Sequence, residues 1–374
     1  PWDILQPRQS WFSDISVAPA VAAQRCSQGF DNIHGGGQRM IIDMHAHTVA
    51  PPELYAYKAI LLSGRGYHGR GALNVSDERI EQFAKQNIDI MDSVGTNMQF
   101  LSPRPFQLMH SEKPAKIVHF WCEANNDVIA TQVREHPDRF QGVAGLPQIS
   151  GEPDTKHVLE ELERAVKELG FIGCMINPDP GEGEGVTPPL DDEYWYPLYE
   201  KMVELDVPAL IHSASCKDPR ESYSAHFITT ESQVVLNLTK PESRVLKDFP
   251  NLRIIVAHGG GSVPYQIGRW RAARFNAMKA NSNLEDFDTS LRRLYYDAVL
   301  YNKESLDFLF RIVGTDRCMF GTEKPGSGSA VDPATGKWVD DTRPIIESIE
   351  WLTDQDKKNL FEDNAKKVFP RLKV

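Results

Sequence analysis

The sequence predicts an α/β fold, a (β/α)8 TIM barrel in a single domain, on three observations. Eight short apolar runs read as buried strands, longer segments of helical period separate them, and several of the runs end in histidine or are followed by a carboxylate. A doubly wound sheet would also alternate, but it would want a glycine-rich phosphate turn after its first strand, and here that strand runs into histidines.

The expected strands are Met40 to His45, Met98 to Leu101, Gly142 to Leu146, Ile172 to Asn177, Ala209 to His212, Ile254 to His258, Tyr295 to Val299 and Cys318 to Gly321. Helices are expected over Ser76 to Ser93, opened by a Ser cap, and over Ala115 to Glu135, Asp154 to Leu169 and Asp192 to Leu205. Others follow over Thr230 to Asp248, Val263 to Ala280, Lys303 to Val313 and Ile345 to Leu352, with a last pair between Thr353 and Phe369. The barrel domain is therefore set at residues 40–374. Residues 1–39, rich in Gln, Ser and Pro and closed by Gly35-Gly36-Gly37, form an N-terminal extension, either a flexible arm or a stretch lying upstream of a start at Met40.

A net charge of −11, from 41 basic and 52 acidic residues, argues against nucleic acid or an anionic membrane surface as partner. The five cysteines are scattered and lack CxxC spacing, which argues against a disulfide framework or a structural zinc site and suits a reducing, cytoplasmic setting. No apolar run reaches the roughly 18 residues of a membrane span.

His45 and His47 alternate along one strand and so point to one face; Asp43 is expected on that face too. His212 and His258 each end an apolar run, and Glu323 follows the eighth. Three neutral imidazoles leave a position open on a zinc ion, as catalytic sites do. The Gly259-Gly260-Gly261 run lacks the lysine of a phosphate loop, and Tyr194-Trp195-Tyr196 and Trp270 read as packing residues.

The order His45-x-His47, His212, Ala257-His258-Gly259-Gly260 and Gly321-Thr322-Glu323 resembles the amidohydrolase superfamily, in the branch of the aminocarboxymuconate-semialdehyde decarboxylases. The resemblance covers nearly everything after Met40 and implies a distorted barrel. It also implies one divalent ion, zinc with manganese as the alternative, on His45, His47 and His212, with His258 acting beside it. Most of that branch has aspartate where this chain has Glu323. Glutamate there is similar to the 4-oxalomesaconate hydratases, as are Ser102-Pro103-Arg104, Asn177-Pro178-Asp179-Pro180-Gly181 and Val263-Pro264-Tyr265.

What this implies is a hydratase adding water to a conjugated keto tricarboxylate in aromatic-acid catabolism, with a non-oxidative decarboxylase as the alternative. Glu323 would be the base or a metal ligand, and His258 a second catalytic group. A small tricarboxylate needs cationic partners, for which Arg104, Arg269, His226 and Lys324 are the candidates. A homo-oligomer is left open.

Overall fold

The computed structural model describes residues 39–373 except Ser327; the expected N-terminal extension lies outside the described residues. Eight parallel strands run in chain order around the sheet: β1 Ile42–His47, β2 Met98–Ser102, β3 Phe140–Ala144, β4 Gly173–Ile176, β5 Ala209–Ile211, β6 Ile254–Val256, β7 Tyr295–Asp297 and β8 Cys318–Met319. The seam between β1 and the end of β8 is bridged by Met44 N–H donating to Phe320 O at 2.9 Å and Glu323 N–H donating to His45 O at 2.8 Å. The barrel is thus nearly closed, as the alternation of strands and helices predicts.

Inside the strands, Met44, Met98, Phe100, Val143, Met175, Leu210, Ile255 and Met319 form an apolar column. Phe369, just past the last helix, joins that column from the strands' N-terminal end, its ring centroid 4.8 Å from that of Phe100. A larger apolar layer, including Leu101, Phe140, Trp195 and Phe310, lies between strands and helices. Burial of each large aromatic contributes roughly 2–3 kcal/mol against exposure.

The strand boundaries move by up to two residues, and the movements place the chemistry. β5 stops at Ile211 and β6 at Val256, so His212 and His258 stand just beyond the ladder. β7 ends at Asp297 because its carboxylate accepts the N–H groups of Gly259 and Val299 at 3.2 and 3.1 Å. The pairing of β1 with β2 slips between Asp43 and Ala46, which inserts an extra residue into β1. That bulge corrects the expectation for Asp43. Its carboxylate does not join the histidines but accepts from Thr322 N–H and Oγ1–H at 3.0 and 2.6 Å and from Gln99 Nε2 at 3.0 Å.

Among the helices, Asp77–Val94 starts on Ser76, whose hydroxyl accepts from Arg79 N–H at 3.3 Å. Ala115–Glu135 and Lys303–Val313 fall where periodicity puts them. The segment expected as one helix from Thr230 is two, Tyr223–Thr239 and Val245–Asp248, because Lys240-Pro241 removes a donor between them. Pro52–Gly64 and Phe287–Leu291 are helices the sequence reading did not anticipate.

Candidate metal centre

Glu323 carries the centre. Its Oε1 lies 3.5 Å from His45 Nε2, 3.5 Å from His47 Nε2, 3.0 Å from His212 Nε2 and 3.3 Å from His258 Nε2. Its Oε2 accepts from Tyr301 Oη at 3.0 Å. All four imidazoles and the carboxylate are buried. Five side chains from three strand ends and the β8 loop are thereby brought to one point.

Each imidazole is oriented from behind. His45 Nδ1 pairs with Asp297 Oδ2 at 2.6 Å, His47 Nδ1 with Ser102 Oγ at 2.8 Å, His212 Nδ1 with the backbone oxygen of Ser213 at 2.7 Å, and His258 Nδ1 with Glu231 Oε2 at 2.9 Å. Fixing Nδ1 leaves Nε2 to face the centre, the usual way a protein sets a metal-binding histidine. Burial pushes the His47 pKa down to about 3, so this imidazole is neutral with a lone pair to offer. Burial opposes charge on His45 as well, but the hydrogen bond and charge of Asp297 outweigh it and raise its pKa. His258 behaves likewise: burial works against its charged form, and Glu231 and Glu323 together raise its pKa well above the ordinary value. Burial disfavours the Glu323 carboxylate, yet His258 and the other imidazoles hold its pKa well below the usual range.

The donor set fits a divalent ion. One donor atom from each of His45, His47, His212 and Glu323 lies within 4.8 Å of the others. A tetrahedral ion with ligands about 2 Å away spaces its donors by roughly 3.3 Å, close to the 3.0–3.5 Å between Glu323 Oε1 and the three imidazoles. His45 Nε2 and His47 Nε2 are buried and make no hydrogen bond, which is costly unless an ion takes their lone pairs.

Two residues of the centre hold left-handed backbone, His258 at φ 50° and Glu323 at φ 57°. Such strain in a non-glycine residue concentrates at functional sites. The glycines after His258 have a packing reason: a Cβ on Gly261 would stand 2.5 Å from Ile228 O and from Ser232 Oγ, on the helix Tyr223–Thr239. That close approach brings Phe227 over His258, ring centroids 4.4 Å apart, and Glu231 behind it.

The expected cationic partners separate. Arg104 reaches the β8 loop, its Nη2 donating to Pro325 O at 3.2 Å, two residues from Glu323. Lys324 does not offer a free charge: it is buried, with Nζ 2.7 Å from Asp340 Oδ1. Arg269 is exposed on the helix Ile267–Ala280 and is not brought to the histidines. His226 is buried 3.6 Å from Asp179 Oδ2 and lines a separate cavity of about 360 Å³ with Thr230 and Gln233. Sequence reasoning gave no part in orienting the centre to Asp297, Glu231, Tyr301 or Ser102, the last noted only within Ser102-Pro103-Arg104. Only Asp297 carried a signal, a carboxylate ending an apolar strand as the histidines do.

The sequence profile of the amidohydrolase family matches residues 42–371. The chain is 36% identical over 345 residues, 89% of it and 97% of the relative, to a 2-keto-4-carboxy-3-hexenedioate hydratase of Sphingobium sp.. A solved 4-oxalomesaconate hydratase of Rhodopseudomonas palustris superposes with a TM-score of 0.79 at 33% identity, over 89% of this chain and 96% of that one. A gamma-resorcylate decarboxylase of Polaromonas sp. is 28% identical over 65% of this chain and 74% of its own length. With the barrel, the histidine order and the profile agreeing over nearly all the described residues, the chain belongs to the amidohydrolase family.

Proposed function

We propose that this chain is a zinc-dependent hydro-lyase that adds water across the conjugated carbon–carbon double bond of a keto tricarboxylate, 4-oxalomesaconate or a near analogue. The observation that carries the reading is the Glu323 carboxylate, one oxygen facing four imidazole Nε2 atoms and the other held by Tyr301, in a chain similar over nearly its whole length to two hydratases. His45, His47 and His212 would hold the ion, with Glu323 in reach as a fourth ligand. Bound there, zinc supplies Lewis acidity toward an oxygen of the substrate or of water.

Water adds to the carbon β to the ketone, and negative charge then develops on the ketone oxygen. Glu323 would take the proton of the attacking water and return one to the α-carbon. Held charged between Glu231 and Glu323, His258 would donate from Nε2 to the developing oxyanion. Arg104, tied to the loop bearing Glu323, is the foremost partner for a substrate carboxylate. Phe227 over His258 keeps water from that side of the imidazole.

The test is to mix the zinc-loaded protein with 4-oxalomesaconate and follow both the conjugated absorbance and carbon dioxide. Loss of absorbance without gas is the expected result; gas release would move the assignment to the decarboxylases, whose reaction also uses a polarised oxygen.

A further inference from the structure

The strand ends facing away from the histidines carry an unexpected concentration of positive charge. Arg253 precedes β6, Arg292 and Arg293 precede β7, Arg317 precedes β8, and Lys367 lies in the last helix, Asn364–Val368. All five line one cavity of about 630 Å³, and among the described residues no aspartate or glutamate shares that lining. This occurs in a chain whose net charge is −11.

Three carboxylates serve these five cations. Arg253 Nη2 is 2.6 Å from Asp206 Oδ1, Arg292 Nη2 is 2.9 Å from Asp316 Oδ1, and Arg293 Nη2 is 2.7 Å from Glu285 Oε2. Arg317 has only a share of Asp316, whose Oδ2 is 3.5 Å from its Nε, and that Nε makes no hydrogen bond among the described residues. Its guanidinium lies over the Tyr295 ring, 5.2 Å from the centroid, and both residues line the cavity. The Nε atoms of both Arg253 and Arg317 are buried without an acceptor. Lys367 is exposed and has no ion-pair partner among the described residues. Buried guanidinium donors without acceptors are costly, and like charges crowded into a concavity raise the local potential. A second cavity of about 410 Å³ shares Leu246, Pro250 and Arg293 and adds Lys240, Lys247 and Arg274 together with Glu285.

We propose that the cavity before β6, β7 and β8 binds a small oxyanion carrying at least two negative charges, a phosphate or a polycarboxylate, at the barrel end opposite the metal centre. Planar guanidinium groups at its wall meet paired oxygens with two parallel hydrogen bonds, and Lys367 adds a point charge at the mouth. The site stands independently of the reaction proposed above.

The experiment is calorimetric titration of the full-length, zinc-loaded protein with inorganic phosphate in one arm and tricarballylate in the other, ionic strength being held constant with sodium chloride. At least one anion binds once per chain with Kd below about 1 mM and raises Tm by mass action; the tighter arm names the class. Arg317→Gln weakens that binding about tenfold or more, and Lys367→Gln, at an exposed position that leaves folding intact, weakens it by about threefold. Heats no greater than those of chloride in both arms would overturn the proposal. So would unchanged binding in both variants, which would locate the anion at the metal centre.

Discussion

At the C-terminal ends of the strands, four imidazoles are each anchored through Nδ1 to a partner up to 252 residues away, and their Nε2 atoms are left to converge on Glu323. At the N-terminal ends the interior is apolar instead, with Phe369 against Phe100 in the column that includes Met44, and arginines rim it. The first arrangement keeps donors uncommitted in a buried place, which costs stability and provides chemistry. The second commits its interior to packing. Damage at the first end should therefore change reaction and metal binding with little change in folding, and damage at the second should do the reverse.

The largest effect should come from withdrawing the ion. Dialysis against a chelator should abolish turnover and added zinc restore it, while circular dichroism stays that of the folded barrel; unfolding on chelation would erase the distinction between the two ends. Glu323→Gln should lower kcat by about 10²- to 10⁴-fold with zinc content unchanged. Loss of zinc in that variant would make Glu323 foremost a ligand. At the opposite end, Phe369→Ala should cost about 3–5 kcal/mol in urea denaturation while the zinc affinity of the folded protein is kept. The smallest effect expected is that of Asp297→Asn, about a 10- to 100-fold weaker hold on zinc, read by competition with a chelator. A large drop in its urea midpoint as well would show that the metal end also carries the fold.

The same contrast explains what could be read in the sequence. Each strand is a run of apolar residues whose burial is its own signal, so all eight were legible, with ends misjudged by a few residues. The convergence of His45, His47, His212 and Glu323 was legible because ionisable residues rarely end apolar strands without cause. Their supports were not. Glu231 sits within the helix Tyr223–Thr239 and reads as an ordinary helical glutamate until Gly261 lets that helix approach His258. Asp43 was misread because alternation assumes an unbroken pleat, and the bulge that breaks it leaves no composition behind. Lys324 looked available beside Glu323, but Asp340 lies sixteen residues on, in a segment without periodicity to reveal its return.

The left-handed backbone at Glu323 and His258 sets a limit on any attempt to make this enzyme hardier. Each costs on the order of 1 kcal/mol that glycine would not incur. Glycine at either position removes the very side chain the centre is built around. A selection for heat resistance alone should therefore favour glycine at these two sites and yield a sturdier, inactive barrel, so such a screen must score turnover together with survival.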